Sequence, residues 1–224
     1  MAVAPSTFAL ILSATLTVGY FTSMWWLLRK EGSRPLLLLL CLTAATAALH
    51  LYDVWNLPPG INDDELKTLK RAVDSWRGGG LFGNGFEAPI LYAVLFQAPV
   101  AMLVDSTFWG MRAYPLTLGI LAVPVAFAIC RGLRFSLVAS FVGASLVGTL
   151  PWALFWGRMP WGGEIIFYEA LLLAGVSRIV WRDGGLMDVV VAMLGLIGLL
   201  YEYTAAWAMI GIPPLAFLLA HSWR

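Results

Sequence analysis

The sequence predicts an all-α fold: a polytopic membrane helix bundle with about seven transmembrane helices and an outer-face loop containing an amphipathic juxtamembrane helix. Three observations predict it. The 224 residues are 60% hydrophobic and only 12% charged, whereas a soluble domain carries about 25% charged residues. Such a chain cannot cover itself with hydrated side chains, and in lipid every backbone polar group must be satisfied inside helices or closed barrels. The apolar stretches are continuous rather than alternating, which selects helices over barrel strands. Several of them approach or reach the roughly 20 residues that a spanning helix requires.

Taken in order, the candidate spans are 8–28, 35–52, 112–130, 136–155, 164–181, 187–203 and 206–221. The first has neither a basic leader nor a cleavage-like site, so it reads as a retained anchor and not a signal peptide. The stretch 89–108 is also apolar, but Gln97, Pro99 and Asp105 interrupt it. The last two spans are short and separated by Tyr201-Glu202-Tyr203-Thr204, which reads as a hairpin turning at one interface. Cys41 and Cys130 both lie in apolar runs and read as small core residues, not a disulfide. The whole of 1–224 forms one membrane module. The net charge of +1 gives no electrostatic case for nucleic acid.

Basic residues concentrate on the inner side of short loops, and this sets the orientation. If 89–108 does not cross, Arg29, Lys30, Arg34, Arg131, Arg134, Arg178, Arg182 and Arg224 share one side. The other side then holds Arg112 and Arg158 in short turns, and Lys67, Lys70, Arg71 and Arg77 in the long loop 53–88. If 89–108 crosses, most of the basic residues fall outside. The first arrangement fits better and makes 89–108 a re-entrant or juxtamembrane helix. It also gathers the loop 53–88, the turn from Arg158 to Glu164, and Glu202 at one outer face.

The loop 53–88 holds ten of the 27 charged residues. Pro58-Pro59-Gly60 stops the preceding helix and turns the chain. Asn62 or Asp63 can cap a new helix, and Asn62 to Glu65 has capping-box spacing. Leu66, Leu69, Val73 and Trp76 then recur on one face of an interfacial helix over 64–77, with Lys67, Lys70, Arg71, Asp74 and Arg77 toward the rest. Gly78-Gly79-Gly80 ends it. Two readings of Asp63-Asp64-Glu65 stand: acids stabilising a helix N-terminus, or a catalytic carboxylate held at the membrane surface beside a basic helix. The basic face either reaches toward lipid headgroups or holds the phosphate of a lipid-linked substrate.

The order of these features resembles the GT-C superfamily of membrane glycosyltransferases, in the branch of protein O-mannosyltransferases and aminoarabinose transferases of lipid A. Leu57-Pro58-Pro59-Gly60 followed by Asp64-Glu65 is similar to the family's Pro-rich turn and Asp-Glu pair at the head of the first outer loop. Ala88-Pro89-Ile90-Leu91-Tyr92 resembles its Pro-Pro-Leu-Tyr segment, with Ala88 in place of the first proline. Arg112-Ala113-Tyr114-Pro115-Leu116 through Arg131 resembles the Arg-Leu-Pro-Ser-like start of a spanning helix that ends in basic residues. Gly157-Arg158-Met159 matches a later outer turn, and Leu199-Leu200-Tyr201-Glu202-Tyr203-Thr204-Ala205 resembles a Tyr-Thr hairpin. The likeness covers roughly residues 35 to 220. The helix 8–28 precedes the family's usual first helix, and the resemblance implies that the chain corresponds to an N-terminal portion of such an enzyme.

The resemblance implies inverting transfer of a sugar from a polyprenyl-phosphate donor to a lipid, glycan or protein acceptor at the outer face of the membrane, the bacterial plasma membrane being the plainest location. A lipid phosphate already leaves well, so the reaction needs a carboxylate to take the acceptor proton and cations to hold the phosphate. Asp64 is the expected base and Glu65 its orienting or acceptor-contacting neighbour. Asp63, Lys67, Arg71, Tyr92, Arg112, Arg158, Glu164 and Tyr203 are the expected substrate contacts. Lys67, Arg71, Arg112 and Arg158 would be phosphate ligands. Glu164 is either a second acid or a helix cap, and His50 either meets ligand or is simply packed. Tyr92, Trp161 and Tyr203 either line a sugar or lipid groove or are simply aromatics of the membrane interface. No cofactor is expected. A divalent cation at 63–65 is conceivable through oxygen ligands, yet three adjacent acids on a starting helix point apart, so no metal site is assigned. The rival expectation is a non-enzymatic membrane module, a transporter half or an assembly subunit, in which Glu169 and Asp105 would be the intramembrane acids.

Overall fold

The computed structural model describes residues 5–56, 63–79, 93–156, 158–159, 163–181 and 184–200. All secondary structure among them is helical. The α-helices are α1 (Pro5–Leu28), α2 (Ser33–Leu51), α3 (Asp63–Asp74), α4 (Ala98–Val104), α5 (Thr107–Gly132), α6 (Leu137–Thr149), α7 (Pro151–Trp156), α8 (Gly163–Trp181) and α9 (Leu186–Leu200). Two π-helical turns are also present: Ser75–Gly79 continues from α3 and Ala93–Gln97 leads into α4.

Three helical segments are long and apolar enough to cross a membrane: Leu10–Leu28, Ser33–Leu51 and Thr107–Gly132. Leu137–Thr149 and Leu186–Leu200 are apolar but shorter. α8 has 19 residues but carries Glu164, Glu169 and Arg178. These helices account for part of the expected set of about seven spans. The span 206–221 and its Tyr-Thr hairpin lie outside the described residues. The expected span 136–155 is broken in two, because Pro151 has no N–H to continue the helix and instead starts α7.

The core forms around α8, which packs most extensively on α9 and α5. Glycines permit the α8–α9 approach. A Cβ on Gly175 would lie 2.6 Å from the carbonyl oxygen of Asp188, and one on Gly195 would lie 2.5 Å from the backbone nitrogen of Leu172. Gly198 likewise sits against the ring of Tyr168. Tyr20 of α1 closes this cluster, with its ring centroid 5.8 Å from that of Phe167 and 5.2 Å from that of Tyr168. Small residues that let backbones approach are the usual means of packing helices in lipid, where van der Waals contact replaces the hydrophobic drive. Cys41 departs from its expected core position: it is exposed on α2, and both cysteines are free thiols.

The described part of the stretch 89–108, residues 93–108, forms a compact hairpin with the start of α5. The π-helical turn and α4 contribute five and seven residues, a helical length of about 18 Å at 1.5 Å per residue. The chain reverses at Asp105, which takes a left-handed conformation with φ 47°. Ser106 then caps α5 by accepting from the Trp109 N–H at 3.3 Å. Gly110 lies directly against Ala101, so α4 folds back on the start of α5. Asp105 is exposed in that turn and is not set within a helix.

Arginines close three helix C-termini from other elements. Arg158 donates to the carbonyls of Leu49, His50 and Tyr52 at the end of α2. Arg178 donates to the Leu27 carbonyl of α1 at 3.0 Å. Arg134 donates to the Trp181 carbonyl of α8 through two nitrogens, at 3.1 and 2.7 Å. The last carbonyls of a helix have no partner within it and carry partial negative charge, so a guanidinium placed there satisfies both needs. Around Arg178 lies a second set of contacts. Its Nε forms an ion pair 2.8 Å from Asp188 Oδ1, and that oxygen accepts a hydrogen bond from the Trp26 indole N–H at 3.2 Å. Arg131 pairs with Glu31 at 3.2 Å, and the Arg29 guanidinium stacks over the Trp26 ring at 3.1 Å. Glu31, Arg131, Arg134, Arg178 and Asp188 thus gather at one end of the bundle, and Arg112 and Arg158 meet at the other.

Candidate functional site

The site end is built from the finish of α2, the start of α5, α3, and the turn before α8. The chain leaves α2 through Tyr52–Asn56, where Asp53 adopts φ 50° and accepts from the Asn56 side-chain amide at 2.7 Å. Trp55 then stacks on Phe108 with centroids 4.0 Å apart and meets Trp109 edge-on at 5.3 Å. This aromatic contact fixes the exit of α2 against the first turn of α5.

α3 is docked onto protein. Leu69 and Ala72 are buried, Val73 and Trp76 are partly buried, and Ala72, Val73 and Trp76 join the core cluster. The helix packs on the turn Ala93–Gln97, on α4 and on α5. The buried stripe is rotated from the expected one: Leu66 is 45% exposed, and Ala72 takes the interior place. Periodicity identified the apolar face, but a small residue was needed where the backbone comes closest. Lys67, Lys70, Arg71 and Arg77 are exposed, so the cationic face points away from the bundle. The acids Asp63, Asp64 and Glu65 form the first turn of α3, but their side chains lie outside the description, as does that of Glu164 at the start of α8. Tyr92, Trp161, Tyr203 and the cap residue Asn62 are outside the described residues altogether.

Arg112 and Arg158, far apart in sequence, are brought together. Both are nearly fully buried, at 1% and 8% exposure. Arg112 Nη1 donates to the Arg158 carbonyl at 2.8 Å and approaches Met159 Sδ at 3.6 Å. Arg158 Nε donates to the His50 carbonyl at 3.1 Å, while its Nη2 donates to Leu49 at 2.5 Å and to Tyr52 at 2.9 Å. Burial lowers the Arg158 pKa from its ordinary value, and the carboxylate of Asp53 counters that shift. A guanidinium nonetheless stays charged in any protein environment. These hydrogen bonds make the two arginines a brace between α2, α5 and the turn before α8.

Three buried polar groups that sequence reasoning left aside or held loosely also emerge. Thr46, His50 and Gln97 are each about 1% exposed. Among the described residues Thr46 Oγ1, His50 Nε2 and Gln97 Nε2 meet no hydrogen-bond partner. Leaving such a group unpaired costs about 1–3 kcal/mol, so each calls for a function. The signal in the sequence was only a polar residue within an apolar run. Among the described residues no three His, Cys, Asp or Glu side chains gather as metal ligands.

Comparison of the chain with protein-family models, curated proteins and solved structures returns no match.

Proposed function

We propose that this chain is a membrane glycosyltransferase module that transfers a sugar, with inversion, from a polyprenyl-phosphate donor to a lipid, glycan or protein acceptor. The observation that carries the proposal is the setting of α3. Its apolar face is locked into the bundle by Leu69 and Ala72, its cationic face is exposed, and its first turn carries three acids. It packs on α4 and on α5, the helix whose second turn carries Arg112. Catalysis at a lipid phosphate needs such a rigid carrier for a base beside cations.

In this reading Asp64 takes the proton of the acceptor hydroxyl and Glu65 orients it. Lys67 and Arg71 hold the donor phosphate, with Asp63, Glu164, Tyr92 and Tyr203 around the sugar. Arg112 and Arg158 act chiefly as the brace beneath that surface. The module has about seven spans, α3 and the Arg158 turn face outward, and the segment that leads through α4 into α5 is re-entrant or juxtamembrane. A bacterial plasma membrane suits this arrangement.

The second reading, a transporter half or assembly subunit, draws on Glu169, which is half-buried inside α8, since intramembrane acids often mark ion paths. The two separate in one experiment. The protein is reconstituted into vesicles with a polyprenyl-phosphate hexose, and both sugar transfer and solute flux are followed. Transfer without flux supports the enzyme; flux without transfer supports the transporter.

A further inference from the structure

His50 and Thr46 lie one helical turn apart on α2, so they share a face. His50 Nδ1 is 3.0 Å from the Thr46 carbonyl oxygen. A carbonyl only accepts, so Nδ1 carries the proton. In the neutral ring Nε2 then presents a bare lone pair. That atom is buried and meets no partner among the described residues.

Thr46 behaves unlike several other helical threonines of the chain. Thr15, Thr43, Thr117 and Thr149 turn their hydroxyls back onto the carbonyl four residues earlier, at 2.7 to 2.8 Å. The Thr46 hydroxyl does not, and it is buried. It lies instead against Gly148 of α6, where a Cβ would come within 2.5 Å of it and within 3.0 Å of Val123. One face of α2 therefore holds a hydrogen-bond acceptor and a hydroxyl, both withheld from the partners that the helix offers.

We propose that Thr46 Oγ1 and His50 Nε2 form a polar subsite that binds a sugar hydroxyl, one turn inside the Arg112–Arg158 brace. A hydroxyl is the matching group: it donates to the Nε2 lone pair and accepts from the threonine. Naming it a sugar hydroxyl rests on the glycosyltransferase reading. His50 is a binding residue in this account, and Asp64 remains the base.

The chain has only two histidines, so replacing His221 with Gln leaves His50 as the single imidazole. The Nε2 resonance of that protein, labelled with nitrogen-15 at histidine and held in lipid nanodiscs, is followed while three probes are added. These are a polyprenyl-phosphate hexose, the same polyprenyl phosphate without sugar, and the free hexose. The expected result is a shift of Nε2 toward the hydrogen-bonded position with the sugar-bearing lipid and none with the bare lipid phosphate. Thr46→Val and His50→Asn, the latter keeping a donor for the Thr46 carbonyl, should weaken binding of that lipid at least fivefold with unchanged thermal stability. An Nε2 resonance that stays fixed while the sugar-bearing lipid binds, or that responds equally to the bare lipid, overturns the subsite. Sugar transfer with a silent Nε2 overturns the subsite alone. Failure of either lipid to bind overturns the donor assignment with it.

Discussion

Arg158 Nε donates to the carbonyl oxygen of His50 at 3.1 Å, across 108 residues of sequence. That bond, with those from Nη2 to Leu49 and Tyr52, makes a side chain from the turn before α8 the C-terminal cap of α2. Since Arg112 in turn holds the Arg158 carbonyl, α2, α5 and the start of α8 are set in register by two guanidinium groups.

Replacing Arg158 tests that brace. Lysine keeps the charge but cannot address three carbonyls from two nitrogens, and alanine abandons them all. Each buried carbonyl left unpaired costs about 1–3 kcal/mol. Thermal unfolding in nanodiscs should rank wild type above Arg158→Lys and Arg158→Lys above Arg158→Ala. Equal midpoints for all three would remove the capping role.

The opposite end makes a similar prediction through Asp188. Its side chain accepts from Trp26 and from the Gly185 N–H, and lies 2.8 Å from Arg178 Nε. Asp188 is 4% exposed, and breaking one member of a buried pair costs about 3–5 kcal/mol. Asp188→Asn should therefore destabilise strongly, and the double variant with Arg178→Gln should lose less than the two single changes combined. Additive losses in that cycle would show that the two groups do not interact.

The α8–α9 seam predicts a graded glycine series. Gly175→Ala and Gly195→Ala would press a methyl group onto backbone atoms 2.5 to 2.6 Å away. Overpacking of that kind costs about 1–3 kcal/mol, here without a flexible side chain to relieve it. Gly185→Ala, with nothing within 4 Å of its Cβ, serves as the comparison and should leave the unfolding midpoint near wild type. The reverse ranking would contradict the close approach.

The orientation is checked by cysteine accessibility in a background lacking Cys41 and Cys130. A cysteine at Trp55, 58% exposed at the site end, should react with an impermeant reagent added outside intact cells. A cysteine at Phe135, 49% exposed at the opposite end, should react only after permeabilisation. The inverted pattern would turn the proposed outer face inward.

Much of the helical layout is legible in composition alone. The apolar runs 35–52 and 164–181 correspond to Ser33–Leu51 and Gly163–Trp181, because long, largely apolar stretches have few other ways to satisfy their backbone in lipid. The break at Pro151 was also visible as a residue, yet a proline within an apolar run either kinks or splits a helix, and neighbouring packing decides which. The partners of Arg112 and Arg158 were not legible. Charge in an outer turn looks the same in sequence whether it meets a phosphate or the carbonyls of a helix 108 residues away. The exposure of Leu66 and the burial of Ala72 depended on the angle at which α3 meets α4 and α5, which no period within α3 encodes. His50 and Thr46 were legible only as polar letters, and their significance came from the hydrogen bonds they forgo.

The most direct measurement is sugar transfer by the purified chain, reconstituted with a radiolabelled polyprenyl-phosphate hexose and an acceptor, compared between wild type and Asp64→Asn. A positioned general base contributes about 10²–10⁴-fold. The account predicts measurable transfer by wild type and a loss of at least about 100-fold in the variant, with donor binding retained. Transfer that persists at a similar rate in Asp64→Asn, or no transfer by wild type under conditions where the donor binds, would contradict it.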